Sequence, residues 1–314
     1  MAHRAPEEYP FSIVLKRSDT GVMNKLYRPK MSQAGLSPTH DVVATDEFGS
    51  HRDMSIAGES PLTVKVDDQE VVTLMTLGTH PEELALGYLK NQRLVDDIED
   101  VRSVTVDWER EQVNIATHRG KGIVDPEEKM ANRVVTTGCG QGTIFSCTLG
   151  ALYEVELPRV TLRQSKIYGL LRTIGDYNEL YKKAGAVHGC ALCADEEVLI
   201  FVEDVGRHNA ADAIAGRMWL DRIDGGDKIF YTTGRLTSEI VMKTALMGIP
   251  VLLSRSGITH MGLELAQEVG VLMIARAKGR HFLIYHGADR VEFDAVPPPK
   301  ETAYNRRPRV EARD

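Results

Sequence analysis

The chain has 314 residues, of which 42% are hydrophobic and 26% are charged, a composition typical of a soluble globular protein. Its formal net charge of -7 argues against a general nucleic-acid binder, because such proteins carry an excess of Lys and Arg. No apolar run approaches the roughly 18 residues that a membrane-spanning helix needs, and the N-terminus lacks the apolar centre of a signal peptide. Four cysteines in a chain of this length do not predict a disulfide scaffold, so we expect a cytoplasmic protein with free thiols.

The first half of the chain predicts an extension followed by a small domain. Residues 1–59 show little periodicity and many turn formers, and we interpret them as a partly disordered extension. Residues 60–130 contain two predicted hairpins and one helix, which indicates a small α+β domain. The helix is expected to have Thr79 as its N-cap and Pro81 in its first turn, with Glu82 completing a capping box. Residues 118–132 are charged and rich in turn formers, and they predict a linker.

The second half of the chain predicts an α/β sheet. Between residues 133 and 290, buried strand patterns alternate with helical patterns, which is typical of a sheet with helices packed on its faces. Residues 291–314 are rich in proline and charge, and we expect them to form a disordered tail.

Polar loops follow three successive strands of this predicted sheet. The loops cover residues 203–209, 232–239 and 254–260. Because the carboxyl ends of parallel strands meet at one edge of a sheet, we expect the three loops to share that edge. Arg207 and His208 in the first loop, with Gly234 and Arg235 in the second, suit an anionic or heterocyclic ligand at a helix N-terminus. For the first loop, the alternative interpretation is a helix cap with a solvated ion pair. For the second loop, it is Thr237 or Ser238 acting only as an N-cap.

Cys139 lies between Gly138 and Gly140, directly after an apolar strand pattern. Glycines on both sides let the backbone turn sharply and leave the thiol without bulky neighbours. An exposed thiol on such a loop suits a nucleophile that carries a group between two partners. An ordinary loop cysteine is the alternative interpretation.

Cys190 and Cys193 form a Cys-x-x-Cys pair that follows His188. The pair could be half of a zinc site, which would need further ligands from elsewhere in the chain, or it could be a redox dithiol. The apolar residues around it favour a third interpretation, in which the two thiols are small core residues of a buried strand. The pattern of zinc deaminases, His-x-Glu followed by Pro-Cys-x-x-Cys, is absent, so we predict no bound metal.

Three cations, Arg276, Lys278 and Arg280, surround the turn before the last predicted strand. An exposed basic hairpin is one interpretation of this turn. The other is a clamp on phosphate groups, in which arginine offers a planar fork of donors and lysine a point charge.

Several of these segments resemble the formate dehydrogenase accessory sulfurtransferase family, FdhD/NarQ. The most specific segment is the run Val205-Gly206-Arg207-His208-Asn209. Further segments that resemble the family are 185–188, 233–239, 254–256 and 276–285. The resemblance covers residues 59–287, so the extension and the tail lie outside it.

The resemblance implies a fold and a function. The fold would be a cytidine-deaminase-like three-layer α/β domain without a zinc site, joined to a smaller α+β N-terminal domain, and dimers are expected. The function would be transfer of persulfide sulfur from a cysteine desulfurase to the molybdenum or tungsten bis-guanine-dinucleotide cofactor of formate dehydrogenase. That cofactor would be a bound substrate, held partly by the turn formed here by Ile274, Ala275, Arg276, Ala277, Lys278 and Gly279.

The carrier cysteine of the family lies in a glycine-rich loop, which matches Cys139. The family usually shows Cys-Gly-x-Cys-Gly in that loop, whereas residues 139–142 read Cys-Gly-Gln-Gly, so the second cysteine is a glycine here. A second thiol, if the reaction needs one, would have to be Cys147, Cys190 or Cys193.

We therefore expect a cytoplasmic, homodimeric sulfurtransferase in which Cys139 carries a persulfide. Arg207 and His208 would steady the thiolate or bind the cofactor together with Gly234, Arg235 and the turn of residues 274–279. The expected partners are a cysteine desulfurase and the formate dehydrogenase apoprotein, with no nucleic acid and no membrane. Two other functions stay open: a cofactor-binding chaperone without chemistry of its own, and a zinc-dependent hydrolase of the deaminase type.

Overall fold

A computed structural model describes residues 27–123, 150 and 152–297, with the backbone alone of residues 134–136 and 142–144. Over these residues the protein is a mixed α/β structure. The first of its two main sheets has five strands, in the spatial order β1 (Lys30–Met31), β6 (Val101–Asp107), β7 (Gln112–Thr117), β4 (Ser60–Val66) and β5 (Gln69–Thr76). None of the helices in the described ranges is long and apolar enough to cross a membrane.

The first helix, α1 (Pro81–Asn91), follows β5 and begins one residue later than the capping box predicts. Its N-cap residue is His80 rather than Thr79. The Glu82 carboxylate is buried and accepts hydrogen bonds from Ser32 Oγ at 2.7 Å and from the Ala34 amide at 2.8 Å. The capping-box prediction is therefore wrong. The Glu82 carboxylate, which the local pattern assigns to the helix cap, instead accepts hydrogen bonds from Ser32 and Ala34, which are distant in the sequence.

Part of the predicted extension, residues 1–59, is ordered structure. Strand β1 pairs in parallel with β6, and β2 (Thr39–Thr45) pairs with β3 (His51–Ala57) in an antiparallel hairpin. The turn of this hairpin is held by Asp46, whose carboxylate accepts from two backbone amides of the turn. The turn formers that suggested disorder thus close a hairpin, which corrects the expectation for residues 30–57. Residues 1–26 lie outside the described residues.

Two other predicted irregular segments are partly fixed by hydrogen bonds. In the predicted linker, the Gly122 amide donates to the Asp67 carboxylate at 2.9 Å, and residues 124–132 lie outside the described residues. At the start of the predicted tail, β17 (Val291–Glu292) pairs with β10 (Leu162–Arg163). These contacts correct the expectation of disorder for the first residues of the tail.

Six strands form the second sheet, in the spatial order β12 (Glu197–Asp204), β11 (His188–Ala194), β13 (Ile229–Thr232), β14 (Val251–Ser254), β15 (Leu272–Lys278) and β16 (His281–His286). Strand β11 is antiparallel to both of its neighbours, whereas β13, β14 and β15 are parallel. The carboxyl ends of β12, β13 and β14 therefore lie on one edge of the sheet, together with the amino end of β11. The prediction of a shared edge is confirmed, with β11 inserted between the first two of the predicted strands.

Helices cover both faces of this sheet. They are α2 (Gln164–Gly175), α4 (Arg207–Asp221), α5 (Ser238–Leu246) and α6 (His260–Glu268), whereas the short helix α3 (Glu179–Ala184) has no buried residue. One apolar cluster joins α2 to one face of the sheet. A larger cluster joins α4 and α5 to the other face and continues without a break into the first sheet and α1. The predicted α+β and α/β parts thus share one core, and the boundaries between them stay a prediction.

Helices α1 and α4 cross in direct backbone contact at two glycines. A Cβ atom on Gly87 would lie 1.7 Å from the Asp212 carbonyl oxygen, and one on Gly216 would lie 2.0 Å from the Glu83 carbonyl oxygen. Any larger residue at either position would push the two backbones apart. The crossing holds the first sheet and α1 against α4, the helix that begins at the predicted ligand edge.

We predict that Gly87→Ala lowers the free energy of unfolding by about 3 kcal/mol, because the new methyl group meets backbone that no side-chain rotation can clear. Gly175→Ala at the end of α2 is the matched control, since a Cβ there meets nothing within 4 Å. That control should stay within about 1 kcal/mol of wild type in urea denaturation. Equal effects of the two substitutions would contradict the close crossing.

Candidate functional site

The first polar loop of the shared edge is fixed by the carboxylate of Asp204, the last residue of β12. It accepts hydrogen bonds from Thr76 Oγ1 at 2.6 Å and from the Leu77 amide at 3.0 Å, both at the end of β5. It also accepts from the Gly206 amide and from Asn209 Nδ2, each at 2.9 Å. Asp204 and Asn209 are therefore structural residues that tie the loop to the first sheet.

Arg207, the first residue of α4, is only 3% exposed. Its aliphatic stem packs on Gly234, where a Cβ atom would lie 2.5 Å from Arg207 Cδ. Within the described residues, its Nε and Nη2 atoms have no hydrogen-bond partner. A buried guanidinium with unpaired donors opposes folding, which is typical of a group retained for an anionic ligand. The helix N-terminus beside it also favours negative charge.

His188, the first residue of β11, lies at the same edge of the sheet. Its Nδ1 is 3.4 Å from Thr233 Oγ1. Burial lowers the pKa of His188, and repulsion from Arg207, Arg255 and Arg235 lowers it further. Three guanidinium groups thus act on one imidazole, and two of them, Arg235 and Arg255, are exposed to solvent. The edge therefore brings several cationic side chains together.

Strand β15 extends this positive edge with Arg276 and Lys278, whose side chains are exposed. The Arg276 amide donates to the Ser256 carbonyl at 2.8 Å, which joins the strand to the third polar loop. Arg276 has a φ of 52°, in the left-handed region, where the pairing with β16 is interrupted. The side chains of Ile274, Ala275 and Ala277 are in the core, so these predicted ligand residues, like Gly279, could offer only their backbone.

Cys190 and Cys193 are fully buried and belong to the clusters on opposite faces of the sheet. Burial raises the pKa of Cys190 to about 12 and raises the pKa of Cys193 as well. Thiols on opposite faces cannot share a metal ion or form a disulfide, so the structure favours the core interpretation of this pair. Neither thiol suits the role of a second reactive thiol.

The predicted carrier Cys139 and the possible second thiol Cys147 lie outside the described residues. Cys139 falls in the sequence between two short paired strands, β8 (Val134–Thr136) and β9 (Gly142–Ile144). In the described part of the chain, no group of three or more His, Cys, Asp or Glu side chains is placed to hold a metal ion.

A buried chain of charged groups below His208 was missed by the sequence reasoning. His208 Nδ1 lies 3.2 Å from Glu239 Oε1, and Lys243 Nζ lies 3.5 Å from the same oxygen and 2.7 Å from Asp212 Oδ2. The available signal was spacing, since His208 and Asp212 on α4, like Glu239 and Lys243 on α5, are four residues apart and share a helix face.

Comparisons with known proteins agree with this fold. The model of the FdhD/NarQ family matches residues 57–292, so the chain belongs to that family. The chain is 28% identical over 267 residues to the sulfur carrier protein FdhD of Listeria monocytogenes serotype 4b, covering 81% of this chain and 98% of the relative. It is 28% identical over 241 residues to the sulfur carrier protein FdhD of Bacillus licheniformis, covering 76% of this chain and 90% of the relative.

One solved structure has a similar fold over most of both chains. It is the crystal structure of a protein from Desulfotalea psychrophila that is assigned as a formate dehydrogenase accessory protein. The TM-score is 0.64 at 25% sequence identity, covering 81% of this chain and 98% of that chain.

We predict that Arg207→Met leaves the free energy of unfolding unchanged or raises it by up to about 2 kcal/mol, because it removes an unpaired buried charge and keeps the stem that packs on Gly234. Binding of inorganic pyrophosphate, measured by calorimetry, should weaken about tenfold or more. Arg235→Met is the control for stability, since that exposed side chain should change unfolding by less than about 0.5 kcal/mol. A strongly destabilised Arg207→Met protein with unchanged pyrophosphate binding would make Arg207 a structural residue.

Proposed function

We propose that this protein is a sulfur carrier that serves the maturation of formate dehydrogenase, as the names of its relatives suggest. The observation that best supports a ligand role for the sheet edge is Arg207, which is buried inside a cluster of cations and whose Nε and Nη2 atoms have no hydrogen-bond partner within the described residues. The ligand of that edge would be the molybdenum or tungsten bis-guanine-dinucleotide cofactor, held as a substrate. Its phosphate groups would face Arg207, Arg235 and the exposed Arg276 and Lys278.

The proposed sulfur transfer uses Cys139 as the carrier. Its thiolate attacks the outer sulfur of a persulfide on a cysteine desulfurase, which forms Cys139-S-SH and releases the thiolate of the desulfurase. Transfer of the outer sulfur to a reduced metal centre of the bound cofactor then returns the Cys139 thiol and oxidises the metal by two electrons. The loop around Cys139 would bring the sulfur to the edge, and His188 and Arg207 would stabilise its negative charge there.

Other finer features of the proposal come from the resemblance to the family. They are a cytidine-deaminase-like arrangement of the second sheet and its helices, a homodimer, a cytoplasmic location, and docking to a cysteine desulfurase and the formate dehydrogenase apoprotein. Helices on both faces of a mixed sheet with a ligand edge are compatible with that arrangement.

A second candidate function is a cofactor chaperone without chemistry of its own. It is favoured by the fact that the described edge offers cations and hydroxyls, while the described thiols, Cys190 and Cys193, are buried. This candidate predicts that cofactor binding and formate dehydrogenase activation both survive when every cysteine is replaced. The zinc-hydrolase alternative has no support from the described geometry, since Cys190 and Cys193 cannot share an ion.

We predict that incubation with a cysteine desulfurase and cysteine adds one sulfur atom to Cys139, detected by mass spectrometry of the alkylated protein. Cys139→Ala should abolish both this mass increase and the activation of formate dehydrogenase. Cys193→Ala is the matched control and should load normally, because that thiol is buried and its raised pKa keeps it protonated.

Two results would overturn the carrier role. One is a persulfide found only on another cysteine, and the other is full activation by Cys139→Ala. Activation without any cysteine, with guanine nucleotide still bound, would support the chaperone instead.

A further inference from the structure

A buried chain of charged groups lies next to Arg207, and phosphate binding by Arg207 alone does not explain its presence. Asp212, Lys243 and Glu239 are each at most 5% exposed, and His208 has a side chain 12% exposed. The side chains are linked in the order Asp212–Lys243–Glu239–His208 by the distances given above. Asn91 Nδ2 of α1 donates to the other Asp212 oxygen at 2.7 Å, which fixes the far end of the chain.

The buried charges around His208 are of both signs. Within the described residues, the buried carboxylates Asp204, Asp212 and Glu239 lie near two buried cations, Lys243 and Arg207. A charged His208 would add a further positive charge beside these two cations in a desolvated region. Burial accordingly lowers the pKa of His208 to about 2, and repulsion from Lys243, Arg207 and His188 acts in the same direction.

His208 is nevertheless placed as a proton acceptor. Its Nδ1 faces a carboxylate oxygen at 3.2 Å, and neither ring nitrogen has a hydrogen-bond partner within the described residues. A phosphate beside Arg207 would offset the repulsion that Arg207 exerts on a charged His208. Once that phosphate is bound, an imidazolium at His208 could donate to Glu239.

We infer that His208 takes up a proton from solvent when an anionic ligand binds beside Arg207, with Glu239 as the positioning residue that accepts its N–H. Lys243 and Asp212 are positioning residues for Glu239 in turn. The inference rests on the proposed ligand edge and adds a coupling to it: binding of phosphate groups becomes tighter as the pH falls. The sign follows from linkage, because a bound state that holds more protons is favoured by a higher proton concentration.

The test is titration calorimetry with GDP, the nucleotide part of the proposed substrate, at pH 6.5 in buffers of different ionisation enthalpy. The wild-type protein should take up a measurable fraction of a proton in excess of His208→Gln, and Glu239→Gln should reduce that uptake. Gln resembles the neutral imidazole of the free protein, so the substitution should preserve the fold. The affinity of the wild type should also rise more steeply between pH 7.5 and pH 6 than that of His208→Gln.

His260→Gln is the matched control, because His260 Nδ1 lies 3.3 Å from Glu264 Oε2 in an exposed pair of the same chemistry. It should keep the full proton uptake. Ring ¹⁵N chemical shifts of histidine in the unsubstituted protein supply a reading that no substitution can disturb. They should move towards the imidazolium values for His208 when GDP saturates the site.

GDP that binds with equal proton uptake in wild type and His208→Gln, and with His208 still neutral in the ¹⁵N spectrum, would overturn this inference and leave the proposed function standing. Failure of GDP to bind at all would overturn both.

Discussion

The crossing of α1 over α4 at Gly87 and Gly216 is the contact on which the rest of the arrangement depends. It brings two helix backbones together without side chains between them. The first sheet and α1 thereby pack against α4. Thr76 and Leu77, at the end of β5, donate hydrogen bonds to the Asp204 carboxylate at the start of the polar loop. Because hydrogen bonds to Asp204 hold the loop against the first sheet, the positions of Arg207 and His208 are fixed.

This rigid support explains how the fold tolerates poorly compensated charge at the same place. Within the described residues, Arg207 Nε and Nη2 and both ring nitrogens of His208 are buried without a hydrogen-bond partner, and such groups oppose folding. They can persist where the surrounding packing leaves the chain no alternative conformation, and the continuous core around α4 is such a place. Stability is lower than it would be with apolar residues there, and these residues lie at the proposed ligand edge.

The alternating strands and helices of the second sheet and their shared edge could be predicted from the sequence, because each depends on local patterns and on the parallel order of consecutive strands. The hairpin of β2 and β3 was not predicted. The sequence could not show that β11 lies between β12 and β13, since strand order depends on long-range pairing. The Glu82 prediction failed for the same reason: the competing partner, Ser32, is distant in the sequence. The buried chain of charged groups that links His208 to Asp212 through Glu239 and Lys243 could not be predicted either, because it depends on how α4 and α5 pack together.

For the Cys-x-x-Cys pair, the sequence alone was sufficient to decide between the interpretations. Residues three apart in a strand point to opposite faces, so a strand assignment for residues 188–194 already excludes a shared metal ion for Cys190 and Cys193. Cys139 and Cys147 lie outside the described residues, and their roles stay predictions.

A crystal structure of the protein with GDP tests the central claim most directly. We predict a phosphate oxygen within hydrogen-bond distance of Arg207 Nε or Nη2, at the carboxyl edge of β12, β13 and β14. Phosphates bound elsewhere, with the Arg207 donors still unpaired, would contradict it.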